Sequence, residues 1–199
     1  TTLVDPTDDS DTVRVLVYLE HTVTDGRPAA GARKVVSRRF QFVEILHDGT
    51  IRDPGAEPYL NYAPITLETG ALLAGVDTDW ASDGLDHVAR SWATAQLATP
   101  HYDEIAHVTK ARIERVRVAV NERLNSEIRY WDARAAELKQ QELQGKKTRL
   151  SSGRAHQRAD DLEARKARRL RELDIEADLM NHAPTIVGAA LIIPQGLLD

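Results

Sequence analysis

Apolar and polar positions alternate from Thr12 onward: Val13, Val15, Val17 and Leu19 fall on one face, and Arg14, Leu16, Tyr18 and Glu20 on the other. A period of two with β-branched enrichment predicts a strand. The segment Asp25-Gly26-Arg27-Pro28-Ala29-Ala30-Gly31 reads as a turn-rich loop. Beyond it Val35, Val36, Phe40, Phe42, Val43 and Ile45 resume a strand over 34–46, closed by Asp48-Gly49 on the way to Ile51. These runs predict an antiparallel hairpin and a second turn. An acidic leader, residues 5–11, precedes them. Residues 54–64 read as a loop, residues 65–76 as a short helix weakened by Gly70 or an irregular segment, and Leu85, Val88, Ala89 and Trp92 mark one face of a helix over 80–97.

Thr99-Pro100 then offers an N-cap and a first-turn proline, with Asp103 and Glu104 where carboxylates favour the positive end of a helix. Ile105, Val108, Ile113, Val116, Val120, Leu124, Ile128, Trp131, Ala135 and Leu138 recur at steps of mostly three and four, with no Gly or Pro between Pro100 and Gly145. That predicts roughly 60 Å of helix. After a break at 145–153, residues 154–183 repeat the pattern with Ala155, Ala159, Leu162, Ala167, Leu170, Leu173, Ala177 and Met180, and Asn181-His182-Ala183-Pro184 stops it. The narrow, alanine-rich stripe flanked by charges predicts an antiparallel helical hairpin of coiled-coil type. Residues 185–193 are apolar on both faces, as in a buried strand that rejoins the amino-terminal sheet.

The expected fold class is therefore α+β: a small antiparallel β-containing body over 1–99, a coiled-coil arm over 100–183 with its tip near 145–153, and a strand over 184–199 returning to the body. The longest uncharged apolar stretch, residues 183–198, is broken by Pro184, Gly188, Pro194 and Gly196, so no membrane helix is expected. The chain starts without Met and stops just after an apolar run, which reads as a piece of a longer protein.

Composition sharpens this reading. The 199 residues contain no Cys, which excludes a disulfide scaffold, a zinc–thiolate site and a cysteine nucleophile, and fits a reducing, cytoplasmic setting. The formal charge is −5, unlike a general nucleic-acid binder. The halves differ, however: residues 1–100 hold 8 Lys/Arg against 15 Asp/Glu, and residues 101–199 hold 18 against 16. Polyanion contact is thus expected in the second half. Lys146, Lys147, Arg149, Arg154 and Arg158 fall in a segment with no acidic residue, at the predicted arm tip, and are the candidate nucleic-acid or partner contacts. In the basic run Arg165-Lys166-Ala167-Arg168-Arg169-Leu170-Arg171, the flanking Glu163, Glu172 and Asp174 point instead to salt bridging within the arm.

Catalytic signatures are lacking. Gly145-Lys146-Lys147-Thr148 follows a helix and has Gln140 where a phosphate-binding loop needs its first glycine. Asp103-Glu104 sits in the first helical turns without a preceding strand, so it is no ATPase box. Glu104 and His107 form one Glu-x-x-His, a spacing found in di-metal helical bundles, yet no second copy accompanies it. Neither a metal site nor a catalytic residue is expected. Tyr130-Trp131 is expected to pack against the partner helix.

The residues Arg123-Leu124-Asn125-Ser126-Glu127-Ile128-Arg129-Tyr130-Trp131-Asp132-Ala133-Arg134-Ala135, then Leu138, Gly145-Lys146, Arg158-Ala159-Asp160-Asp161-Leu162-Glu163, Arg169, Leu173 and the tail 184–198 resemble the region that follows the ATPase core in large bacterial Swi/Snf-type helicase-like proteins, those related to the RapA/HepA group and to the helicase-like component of DISARM anti-phage systems. The resemblance is most specific over 121–198. It implies a parent that hydrolyses ATP, with Mg, in two RecA-like lobes upstream while moving on duplex DNA. This chain contains neither lobe, so it is expected to carry no cofactor and no activity of its own. Its implied partners are those ATPase lobes, duplex DNA or another protein. A purely structural or protein–protein coiled-coil module is the alternative reading.

Overall fold

A computed structural model describes residues 1–65, 77–81 and 84–198. Most of the segment read as a short helix or an irregular stretch, residues 66–76, lies outside the described residues. The chain is α+β. Its elements are β1 (Thr2–Asp5), β2 (Arg14–Ala29), β3 (Ala32–Leu46), β4 (Ile51–Arg52), β5 (Ala63–Pro64), α1 (Leu85–Ala93), α2 (Thr99–Leu143), α3 (Ser152–Ala177), β6 (Met180–Asn181) and β7 (Thr185–Pro194). They belong to two compact units: Thr1–Thr24, Val35–Ile105 and Met180–Asp199 form the first, Asp25–Lys34 and Ala106–Leu179 the second.

The first unit is built on a mixed sheet of seven strands among the described residues, in the order β4-β3-β2-β7-β1-β5, with β6 paired to β2. The alternation along β2 decides its two faces. Val15, Val17 and Leu19 pack with Val43 and Ile45 of β3 and with Ala89 and Ala93 of α1, and Trp80, Leu85, Trp92 and Leu97 close over them. Alanines at 89 and 93 let α1 approach the sheet closely, and each large aliphatic side chain buried here contributes about 1.5–3 kcal/mol. Val88, expected on the inner stripe, is exposed. The opposite face gathers Leu16, Phe42, Ala190 and Ile192 with Leu3, Tyr18 and Tyr62.

β7 lies between β2, to which it is antiparallel, and β1, to which it is parallel. It joins the sheet, but only its second half is buried; Val187 is 61% exposed. The expected acidic leader is partly structural: Asp5 belongs to β1, and Asp5, Asp8 and Glu44 all pair with the buried Arg14 guanidinium. Arg52 and the Tyr62 hydroxyl also donate to Glu44. Burial opposes the charge of Arg14, but the Glu44 carboxylate, the Tyr62 hydroxyl and Asp8 outweigh it and raise its pKa.

Three local expectations are corrected. The loop expected over 25–31 is strand up to Ala29, and the chain reverses over two residues, Ala30 (φ 45°) and Gly31 (φ 82°), the left-handed pair that a tight hairpin requires. Gly26 reads as a turn residue, yet its role is close packing in the second unit: a Cβ there would lie 2.7 Å from the Ile175 carbonyl oxygen. Thr99-Pro100 does not cap a helix. Thr94–Ala98 forms a π turn that runs from α1 into α2, with the Thr99 amide bonded to the Thr94 carbonyl and the Thr99 hydroxyl donating to the same oxygen at 2.9 Å. Pro100 has no N–H for the preceding turn, and widening that turn absorbs the missing donor. Finally, α3 ends at Ala177 instead of continuing to 183: Met180 and Asn181 pair with Thr24 and Val23, so backbone pairing with β2 prevails over the helical spacing of Met180.

α2 spans 45 residues, about 67 Å of helix, and from Ala106 onward it belongs to the second unit. Leu124 and Ile128 of α2 pack on Ala159 of α3, and Ala135 and Leu138 pack on Ala155. Lys166 bonds Asn125 at 2.8 Å, Arg117 pairs with Asp174 at 2.7 Å and Arg112 with Glu176 at 3.0 Å. Partners on α3 climb in number as those on α2 fall. Glu176, buried, also meets Arg27 and Arg169, and these charges, together with the hydrogen bond from Arg112, overcome the burial penalty and lower its pKa. No helix among the described residues is long and apolar enough to cross a membrane.

Candidate nucleic-acid interface

The basic segment begins where α2 is forced to stop. Gly145, at φ 76°, takes the left-handed conformation that closes the helix: its amide bonds the Glu142 carbonyl at 2.9 Å and the Lys146 amide bonds the Gln141 carbonyl at 3.0 Å. This paired closure satisfies carbonyls that a helix end otherwise leaves to water. Six residues after Gly145 the Ser151 hydroxyl accepts from the Arg154 amide at 3.3 Å and caps α3. The Glu142 carboxylate spans the break, accepting from the Ser152 amide at 2.8 Å and hydroxyl at 2.6 Å, and these two bonds hold its pKa below the usual carboxylate range. The loop between the helices thus has its ends fixed by hydrogen bonds.

Lys146, Lys147 and Arg149 lie on that loop, and Arg154 and Arg158 lie one turn apart on α3; all five are exposed. None has a carboxylate within ion-pair distance among the described residues. Arg158 lies over the Trp131 ring, 4.8 Å from its centre, an arrangement that holds the guanidinium in place while leaving its edge free to donate. Trp131 itself joins both apolar clusters between the helices, whereas Tyr130 is 62% exposed. Arg154 and Arg158 converge on a shallow hollow with Trp131, Leu150, Gln157 and Asp161; the three loop cations are not part of its lining. Chemically the loop and the first turns of α3 offer exposed cations, one of them oriented, to a ligand that presents separated negative charges.

The basic run beginning at Arg165 follows its expected use only in part. Arg169 bridges to Glu172 and Glu176, but Arg165 and Arg168 make no ion pair among the described residues. Glu104 of the Glu-x-x-His pair is engaged by Arg39 at 3.0 Å, and His107 is exposed. Among the described residues no three His, Asp or Glu side chains gather as metal ligands would.

One polar chain centred on two buried histidines, His21 and His101, escaped the reading of the sequence. In the first unit Ser37 Oγ is 2.8 Å from His101 Nε2, His101 Nδ1 is 2.7 Å from His21 Nδ1, and His21 Nε2 is 2.6 Å from Asn181 Oδ1. With Asn181 Oδ1 as the acceptor, a consistent set of donors is His21 Nε2–H to Asn181, His101 Nδ1–H to His21 and the Ser37 hydroxyl to His101. Burial, with the positive charge of Arg39 and the neighbouring His21, lowers the His101 pKa, against a weaker opposing effect of Glu104. The signal was present in β2, where His21 falls on the same face as Val17, Leu19 and Val23. Every member is satisfied, so the chain ties the start of α2 to the sheet. Compared with known protein families, curated proteins and solved structures, the protein has no match.

Proposed function

We propose that this protein is a non-catalytic accessory domain of a Swi/Snf-type DNA-dependent ATPase, acting in the cytoplasm. In this reading α2 and α3 are an antiparallel coiled-coil arm, and its tip contacts duplex DNA while the ATPase lobes, elsewhere in the parent, supply ATP chemistry. The observation that carries the proposal is this set of five exposed cations without carboxylate partners, three on a loop whose ends are fixed by the Gly145 closure and the Ser151 cap and two on the first turns of α3. Cations paired to nothing in the protein release counterions when they meet phosphates, and affinity then falls steeply with salt. A protein–protein coiled-coil module is the second reading, favoured by the apolar side chains that α2 leaves exposed, Val108 at 59% and Val118 at 46%.

The test is anisotropy of fluorescent duplex DNA across a salt series. Micromolar binding with a steep salt slope, weakened and flattened by Lys146→Glu, Lys147→Glu and Arg149→Glu together, is the expected result. Binding unchanged by that triple reversal removes the tip from the mechanism. Turnover of ATP stimulated by DNA in the purified protein would refute the non-catalytic assignment.

A further inference from the structure

A second surface in the helical unit lies away from the tip, at the groove between α2 and α3 where Val116, Val120 and Leu124 form the floor and Arg165 and Arg168 stand on the rim. The groove has a volume of about 530 Å³. Its carboxylates are already taken: Glu127 is held by Arg123 at 3.1 Å and Glu172 by Arg169 at 3.0 Å. The charge left over is that of Arg165 and Arg168, both exposed and without an ion pair among the described residues.

We propose that this groove receives an amphipathic, acidic helix of a partner protein. The floor residues recur every four positions along α2 over about 12 Å, the spacing at which a helix laid alongside presents apolar side chains at i, i+4 and i+7 or i+8. An aliphatic floor gives a phosphate backbone nothing to bind, whereas it provides the desolvated centre that a helical ligand uses. Two unpaired arginines beside that floor select Asp or Glu flanking the apolar stripe, because like charges placed there are repelled. A second copy of this chain, docking through the same face, would bring together two faces that both carry the excess positive charge of Arg165 and Arg168, so the partner is a different helix. The proposal uses none of the five tip cations.

The test uses a fluorescein-labelled synthetic helix of about 18 residues, with leucines at i, i+4, i+7 and i+11 and glutamates on both flanks, beside the same peptide with lysines in place of the glutamates. The expected result is saturable anisotropy with the glutamate peptide alone. Arg165→Glu with Arg168→Glu should weaken that binding at least about tenfold and admit the lysine peptide, and Val120→Ser should weaken it without changing the charge preference. Circular dichroism establishes that both variants keep their helices. Equal binding of the two peptides, no binding up to about 1 mM, or binding indifferent to the arginine reversals overturns the proposal. Duplex DNA measured on the same arginine variant separates the two sites: unchanged DNA affinity leaves the tip reading intact whatever the peptide does, and a loss of DNA affinity assigns these arginines to nucleic acid and overturns the docking proposal.

Discussion

Replacing His101 with leucine keeps the volume of the side chain and removes both of its nitrogens. His21 Nδ1, 2.7 Å from His101, then faces an aliphatic group. Turning the Asn181 amide and shifting the His21 proton does not help, because either tautomer leaves one buried ring nitrogen unpaired. Ser37 is half-buried and regains water, so its loss is small. An unsatisfied buried polar group costs about 1–3 kcal/mol, which for a chain of this size lowers Tm by roughly 2–12 °C. The pH dependence gives the sharper check. The folded state holds His101 neutral, with its pKa below the ordinary value of about 6.5. Below that pH the unfolded chain binds a proton that the folded one refuses, so stability falls with acidification and levels off once pH passes the lowered folded value. Leucine has no such proton to bind, and the gap between wild type and His101→Leu should narrow as pH falls. Urea unfolding followed by far-ultraviolet circular dichroism at intervals between pH 8 and 5 measures both effects. A loss under about 0.5 kcal/mol at pH 8, or a gap that widens in acid, would refute the neutral hydrogen-bonded chain.

Other perturbations follow from the same geometry. Glu44→Gln strips the buried Arg14 and the half-exposed Arg52 of a shared carboxylate and should cost about 3 kcal/mol or more in urea titrations. Leu138→Ala empties a site that is 2% exposed between α2 and α3, and a loss of about 2–5 kcal/mol should appear as faster amide exchange in both helices. Gly145→Ala forces a Cβ into φ 76° and should cost about 1 kcal/mol in thermal melts while leaving the charge of the loop, and with it the proposed DNA contact, unaltered in the salt-series assay.

Local pattern carried the sheet and the helices a long way. Alternation over residues 13–20 marked both faces of β2, and the absence of Gly and Pro between Pro100 and Gly145 matched a continuous helix. What pattern missed were residues whose role is set by a distant neighbour. Gly26 and Pro28 carry turn propensity, yet they lie in a strand, because α3 approaches Gly26 too closely for any side chain. Ala30 adopts φ 45° without the composition that advertises a hairpin turn. Met180 has helical spacing but is drawn into pairing with β2. The chain of Ser37, His101, His21 and Asn181 joins residues separated by as many as 160 positions, beyond the reach of any local window. At the candidate interface, the charge pattern singled out five cations, and the structure leaves all five exposed. The pattern misjudged Arg165 and Arg168, since neighbouring carboxylates in sequence are not neighbouring carboxylates in space.

The placement of β7 between β2 and β1 has a consequence for how the molecule is made. During synthesis β1 and β2 emerge early, but the strand that joins them is produced only after both long helices. Until Thr185 and its successors leave the ribosome, β1 and the inner edge of β2 lack their backbone partner, and the apolar layer of Leu16 and Phe42 lacks Ala190 and Ile192. Such edges invite pairing with other chains. A nascent chain stalled anywhere before residue 185 is therefore the aggregation-prone form of this protein, and a holdase chaperone would find its binding site there, in the half-finished sheet.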